Sequence, residues 1–214
     1  MHPTMGHPSE HARSLREALL EPIRLYAHDP RWLELFERER QRIESALPGR
    51  FVSIRHIGST AVSGLIAKPI IDMILGLGDF RDIEQALKDL QSIGYTYDQN
   101  ARAQSADRRW LLRHKDGRRT HHLHVVELGS RAWRDRVEFC ERLKRDPALR
   151  TRYQELKIVM LTQAGDDRES YTAAKEPFIR NALSTTAPSQ RRLAGVDLHS
   201  ENPLTPRTPS AHRS

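Results

Sequence analysis

Apolar residues recur along this chain with two periods, and the switches between them mark out the elements. Trp32, Leu35, Phe36, Ile43 and Leu47 follow one another at mostly helical spacing. Asp29-Pro30 caps and opens that helix, and Pro48-Gly49 closes it. Residues 51–57 alternate as a half-buried strand does, whereas 69–77 are almost continuously apolar, which predicts a central strand. Phe80, Ile83, Leu87 and Leu90 share one face of a helix predicted over 79–93 and closed by Gly94. Three further strands are predicted at 95–98, 109–114 and 120–128, with Asp116-Gly117 as the hairpin turn between the last two. From 130 to 183 the pattern turns helical, in three segments broken near Asp146-Pro147 and Gly165. Trp133, Cys140 and Tyr153 read as core residues of that part. The order predicts an α/β (α+β) fold, a mixed sheet packed against helices with a helical C-terminal part.

The ends read differently. Residues 1–24 form a polar extension with a short helix over 14–20, and 185–214 carry Pro188, Pro203, Pro206 and Pro209 among Ser, Thr and Arg. That composition predicts a disordered tail and leaves one domain over 25–184. At 37% hydrophobic the 214 residues can build a core, although mean hydropathy is low at -0.68. A formal charge of +7 favours an anionic partner, a nucleotide or a nucleic acid. Like charges do not run in long blocks, so a nucleic-acid footprint has weak support. The lone Cys140 excludes a disulfide framework and a thiolate zinc site. No run approaches the roughly 18 apolar residues of a membrane span, and the first ten residues lack an apolar secretory segment. The chain reads as a cytoplasmic protein away from membranes, with no signature of its oligomeric state.

Candidate chemistry concentrates in two places. His56-Ile57-Gly58-Ser59-Thr60 leads through Lys68 to Pro69-Ile70-Ile71-Asp72. A tight turn with free backbone N–H groups can cradle a phosphate, and a lysine adds a point charge for the same anion. Asp72, inside an apolar strand, is costly to bury unless it is paired, hydrogen-bonded or bound to a cation. The second place is Thr120-His121-His122-Leu123-His124. On a strand His122 and His124 point to one side and can bind a divalent metal or hold a phosphate, while His121 reads as an ordinary satisfied histidine. Arg108, Arg109, Arg118 and Arg119 flank the hairpin and read singly as surface residues, and Lys175 reads as a solvent-exposed helical lysine. G-x-x-x-x-G-K-[ST] is absent, which argues against a P-loop kinase, and Gly76-Leu77-Gly78 lacks the third glycine of a dinucleotide fingerprint.

These segments resemble the GrpB family, an uncharacterised family with a nucleotidyltransferase-like fold. The resemblance rests on His28-Asp29-Pro30-Arg31-Trp32, His56-Ile57-Gly58-Ser59-Thr60-Ala61-Val62, Gly64-Leu65, Ala67-Lys68-Pro69-Ile70-Ile71-Asp72 and His122-Leu123-His124-Val125-Val126. It continues in Tyr153, Leu156-Lys157, Tyr171-Thr172-Ala173-Ala174-Lys175 and Phe178-Ile179, with Ser63 standing where the family leads one to expect proline. It implies that Gly58 and Ser59 hold nucleotide phosphates and that Asp72 is the first acid of a metal-binding strand. The second acid of that pattern falls at Ile74 and is missing. The expectation is therefore a metal-dependent, nucleotidyltransferase-like transferase acting on a nucleotide or phosphorylated small molecule. Gly58, Ser59, Thr60 and Lys68 would bind phosphate. Asp72, His122 and His124 would bind a divalent metal, Mg²⁺, Mn²⁺ or another transition metal. Lys68, Asp72 and His56 would be catalytic. The alternative is a module that binds such a ligand without turning it over.

Overall fold

The computed structural model describes residues 9–50, 52–98, 104–164 and 174–185. The predicted strand start at Phe51, the break at Gly165, Tyr171-Thr172-Ala173 and the tail beyond 185 lie outside them. Ser9 caps α1 (Glu10–Leu20) by accepting from the Ala12 N–H, so this helix starts earlier than expected. α2 (Arg31–Ala46) begins where predicted: Asp29 Oδ1 accepts from the Arg31 N–H at 2.9 Å. Leu35 departs from the predicted apolar face and points outward, 36% exposed. β1 (Val52–Ile57) ends at Gly58, and a short 3-10 turn (Ser59–Ala61) leads towards β2 (Ile71–Leu77). The helix predicted from 79 opens instead as a 3-10 turn, Phe80–Asp82, because the Asp79 carboxylate accepts from the Arg81 N–H. α3 (Ile83–Ser92) follows.

β3 (Thr96–Tyr97) precedes the hairpin of β4 (Arg108–Lys115) and β5 (Arg118–Glu127). Its two turn residues, Asp116 and Gly117, both have positive φ, at 50° and 71°. Asp-Gly pairs take that conformation in tight hairpins at little cost. α4 (Arg131–Arg145), α5 (Pro147–Ala164) and α6 (Glu176–Ser184) complete the described chain.

The five strands form one mixed sheet in the order β1-β2-β5-β4-β3. β2 runs antiparallel to β1 and parallel to β5, while β4 is antiparallel to both β5 and β3. β2 is therefore central, as its apolar run requires. Side-chain alternation divides the sheet into two faces. Ile54, Met73, Leu75, Leu123 and Val125 form one core with α2 and α3. Ile57, Ile74 and Val126 form the other with α4 and α5. Cys140, Tyr153 and, partly buried, Trp133 belong to that second core, as expected. Among the described residues no helix is long and apolar enough to cross a membrane.

Candidate functional site

The site lies on the α4–α5 face of the sheet, where β2 and β5 run side by side. Asp72 is in register with His122 on β5 and with Ile57 on β1, and Ile74 is in register with His124. Asp72, His122 and His124 therefore project from one face: parity predicts this for the two histidines, and the β2–β5 register adds Asp72. Asp72 Oδ1 lies 3.0 Å from His122 Nδ1. A third of the Asp72 side chain stays accessible, so a ligand can reach it.

Gly58 makes this placement possible. It sits at φ 70°, and a Cβ there would lie 2.5 Å from Asp72 Oδ2. Only glycine leaves room for the carboxylate while adopting this backbone. Beside it, Ser59 Oγ accepts from Lys157 Nζ at 3.3 Å, and the same amine donates to the Ile66 carbonyl. Lys157 thus ties the Gly-Ser turn to α5. It belongs to a buried stripe with Tyr153 and Met160, and only 2% of it is exposed.

The electrostatics follow from burial amid several cations. Burial alone would raise the Asp72 pKa, but the hydrogen bond from His122, with the nearness of His122, His124 and Lys175, brings it below its ordinary value. Asp72 is therefore a carboxylate, which can only accept a hydrogen bond. His122 Nδ1 must carry the proton, and in the neutral ring Nε2 then presents a lone pair. Burial lowers the His122 pKa against the opposing pull of Asp72, and it holds His124 well below the ordinary value with help from Arg136. Burial also pushes Lys157 down to about 7, assisted by the charge of Lys175. Lys175 itself falls to about 8 through burial, with Asp72 opposing. Arg136, lowered to about 10, adds its charge next to Arg108. His122 Nε2 and His124 Nδ1 are both buried without a hydrogen-bond partner among the described residues.

Gly58, Ser59, Asp72, His122 and His124 are thus brought together, and the charge of Lys68 reaches His122. His56 and Thr60 are not on this side. His56 is in register with Met73, so it points to the opposite face and stacks on Phe36 at 4.8 Å. Its Nε2 lies 3.0 Å from Thr60 Oγ1, and that hydroxyl donates to the Ile70 carbonyl. Both side chains hold the turn from behind, and the structure does not bring them to the side of the sheet where Asp72 and His122 meet. His121 also lies on that opposite face, in register with Ile71. Lys175 departs from its reading as an exposed lysine. Lys157 was not singled out for chemistry, although a lysine inside Leu156-Lys157-Ile158-Val159-Met160 and on the Tyr153–Met160 stripe was a readable signal.

The fold implied by the resemblance uses metal-binding carboxylates, and the donors can be compared with that requirement. Ile74, at the second-acid position, is fully buried in the apolar core. Among the described residues no three His, Cys, Asp or Glu side chains stand together as a metal-holding group, Asp72, His122 and His124 included. Asp72 is turned to His122 instead. This donor set does not fit a pair of hard cations, which need several oxygens.

Comparison with known proteins agrees with the fold. The family described as GrpB protein matches residues 22–185. The chain belongs to the GrpB family. It is 30% identical over 164 residues to the glutamate-rich protein GrpB of Alkalihalophilus pseudofirmus, covering 75% of this chain and 93% of that protein. The crystal structure of GrpB from Enterococcus faecalis is 26% identical, with a TM-score of 0.63 over 75% of this chain and 100% of that one. A dephospho-CoA kinase of Mycolicibacterium paratuberculosis is 27% identical over 198 residues, which span 82% of this chain and 48% of the kinase. A part similar to this chain thus also occurs within a longer protein.

Proposed function

We propose that this GrpB protein binds a nucleotide or phosphorylated small molecule on the β2–β5 face, with Asp72 and His122 acting on it as a general-base pair. The carrying observation is the buried, unpartnered Nε2 of His122, whose lone pair is fixed by the Asp72 hydrogen bond on Nδ1. A carboxylate that orients an imidazole in this way prepares it to take a proton from an attacking hydroxyl. Lys68 acts on His122, Lys175 on Asp72 and Arg136 on His124, a positive surrounding that suits a phosphate and the charge that develops during its transfer. Ser59 is held at the turn by Lys157, ready to line the phosphate side. No step in this reading passes through a metal ion.

A second reading, binding without turnover, is favoured by the apolar Ile74 at the second-acid position. Both are tested by thermal shift and calorimetric titration with nucleoside triphosphates and pyrophosphate, each with and without Mg²⁺ or Mn²⁺. Binding that raises the melting temperature in the wild type and is lost in Lys175→Met supports the site. Product formation that disappears in Asp72→Asn and His122→Asn, with binding retained, supports the base pair. Binding without product selects the second reading, and no shift with any of these ligands overturns both.

A further inference from the structure

The strongest feature outside that site is a groove of about 640 Å³ on the far edge of the sheet. β1 is an edge strand, with β2 on one side and no described strand on the other. Ile54 and His56 point to the α2 face, and Arg55 and Ile57 to the α4 face, yet all four line this one groove. The groove therefore wraps the strand edge. α2 lines it with Leu33, Phe36, Glu37 and Arg40, and α4 with Val137, Cys140, Glu141 and Lys144. Each set is spaced i, i+3, i+4, i+7, so each helix turns one whole stripe towards the strand edge. The edge is thus flanked by a helix on either face, like a slot with a backbone floor.

An edge strand carries alternate N–H and C=O groups with no strand to pair with, a template for an added strand. The walls offer the half-buried Val137 as an apolar contact, and Leu33 at the rim is 60% exposed, while Phe36 lies buried beneath them, stacked on His56. The rim charges are mostly neutralised. Arg40 is bonded to Glu37 and Glu44, and Lys144 to Glu141. Arg55 forms no hydrogen bond or ion pair with a described residue. A second copy of this chain offering its own β1 would bring its α2 and α4 against these two helices. A single extended chain meets no such obstacle.

We infer that the slot receives an extended peptide segment of a partner protein, which pairs with β1 as an additional strand. Its alternate apolar side chains pack on the α2 and α4 stripes, and an acidic side chain meets Arg55. This is strand addition, in which main-chain hydrogen bonds give affinity and side-chain pockets give selectivity. It stands independently of the ligand site on β2 and β5.

The probe is a displayed library of random nonapeptides selected on the full-length protein. An enriched peptide is then synthesised for titration and for hydrogen exchange. The expected peptides alternate apolar residues around an Asp or Glu. Their binding slows exchange of the Ser53–Ile57 amides and weakens by about tenfold in Arg55→Glu. Arg55→Glu should melt as the wild type does, because Arg55 has no partner among the described residues, and its own selection should turn to peptides with Lys or Arg at that position. Enriched peptides without an acidic preference, or ones that protect amides elsewhere, overturn the inference. So does a β1 edge already protected from exchange in a self-associated protein.

Discussion

The contact between Gly58 and Asp72 is the tightest constraint on a single residue in the site. A methyl group there meets the carboxylate at 2.5 Å and its Cβ at 2.8 Å, on a backbone that L-residues rarely adopt. Gly58→Ala is expected to lose about 2–4 kcal/mol of stability, from the φ penalty together with the overpacking. Urea denaturation measures this, and a loss below about 0.5 kcal/mol would show that the turn relaxes freely. Lys157 gives a second expectation. Its pKa is about 7 in the folded chain and 10.5 in the unfolded one. Between these values the unfolded chain holds the extra proton, so stability rises with pH through this window and falls as pH drops towards 7. Lys157→Met lacks this linkage. Calorimetry from pH 7 to about 9.5 should show the wild-type melting temperature gaining on that of the variant, and parallel curves would refute the assignment.

Among the polar contacts that join elements, one crosses from α2 to the sheet. Glu39, 4% exposed, accepts from Arg113 of β4 at 2.7 Å and from Arg42 at 3.1 Å. Glu39→Ala strands two guanidinium groups that are each about a third exposed. The expected cost is about 2 kcal/mol, below that of a fully buried pair because solvent still reaches both cations. Chemical denaturation with unchanged m-value checks it. At this scale much was legible in the sequence. The continuous apolar run of β2, the Asp116-Gly117 hairpin and the Asp29-Pro30 helix start all carry local physical signals, and all were recovered. The shared face of His122 and His124 also followed from strand parity, whereas Asp72 joins them through the β2–β5 register. His56 was not legible in the same way. Its side relative to Asp72 depends on the β1–β2 register, which is set by the Gly58–Ile70 connection and not by any pattern inside β1. Lys175 was missed because its burial comes from the packing of distant elements.

On the scale of the whole molecule, α1 holds the turn end of the hairpin. Ala18 is fully buried. The Gly117 N–H donates to Ser14 Oγ at 3.0 Å, and the Arg119 N–H to the Glu21 carboxylate at 3.3 Å. Removing residues 1–21 should accelerate hydrogen exchange at Gly117 and Arg119 while the Asp72–His122 contact persists. Equal exchange in both forms would show that α1 adds no protection. The site itself depends on a longer connection. Asp72 and His122 are separated by fifty positions and meet through a parallel pairing, with α3, β3 and β4 intervening. During synthesis, a nascent chain that has not yet exposed β5 carries the Gly58 turn and Asp72 but no imidazole to orient. On the proposed reading, the oriented base is therefore assembled only once β5 has been made, and products truncated before β5 keep the Gly58 turn and Asp72 while lacking His122.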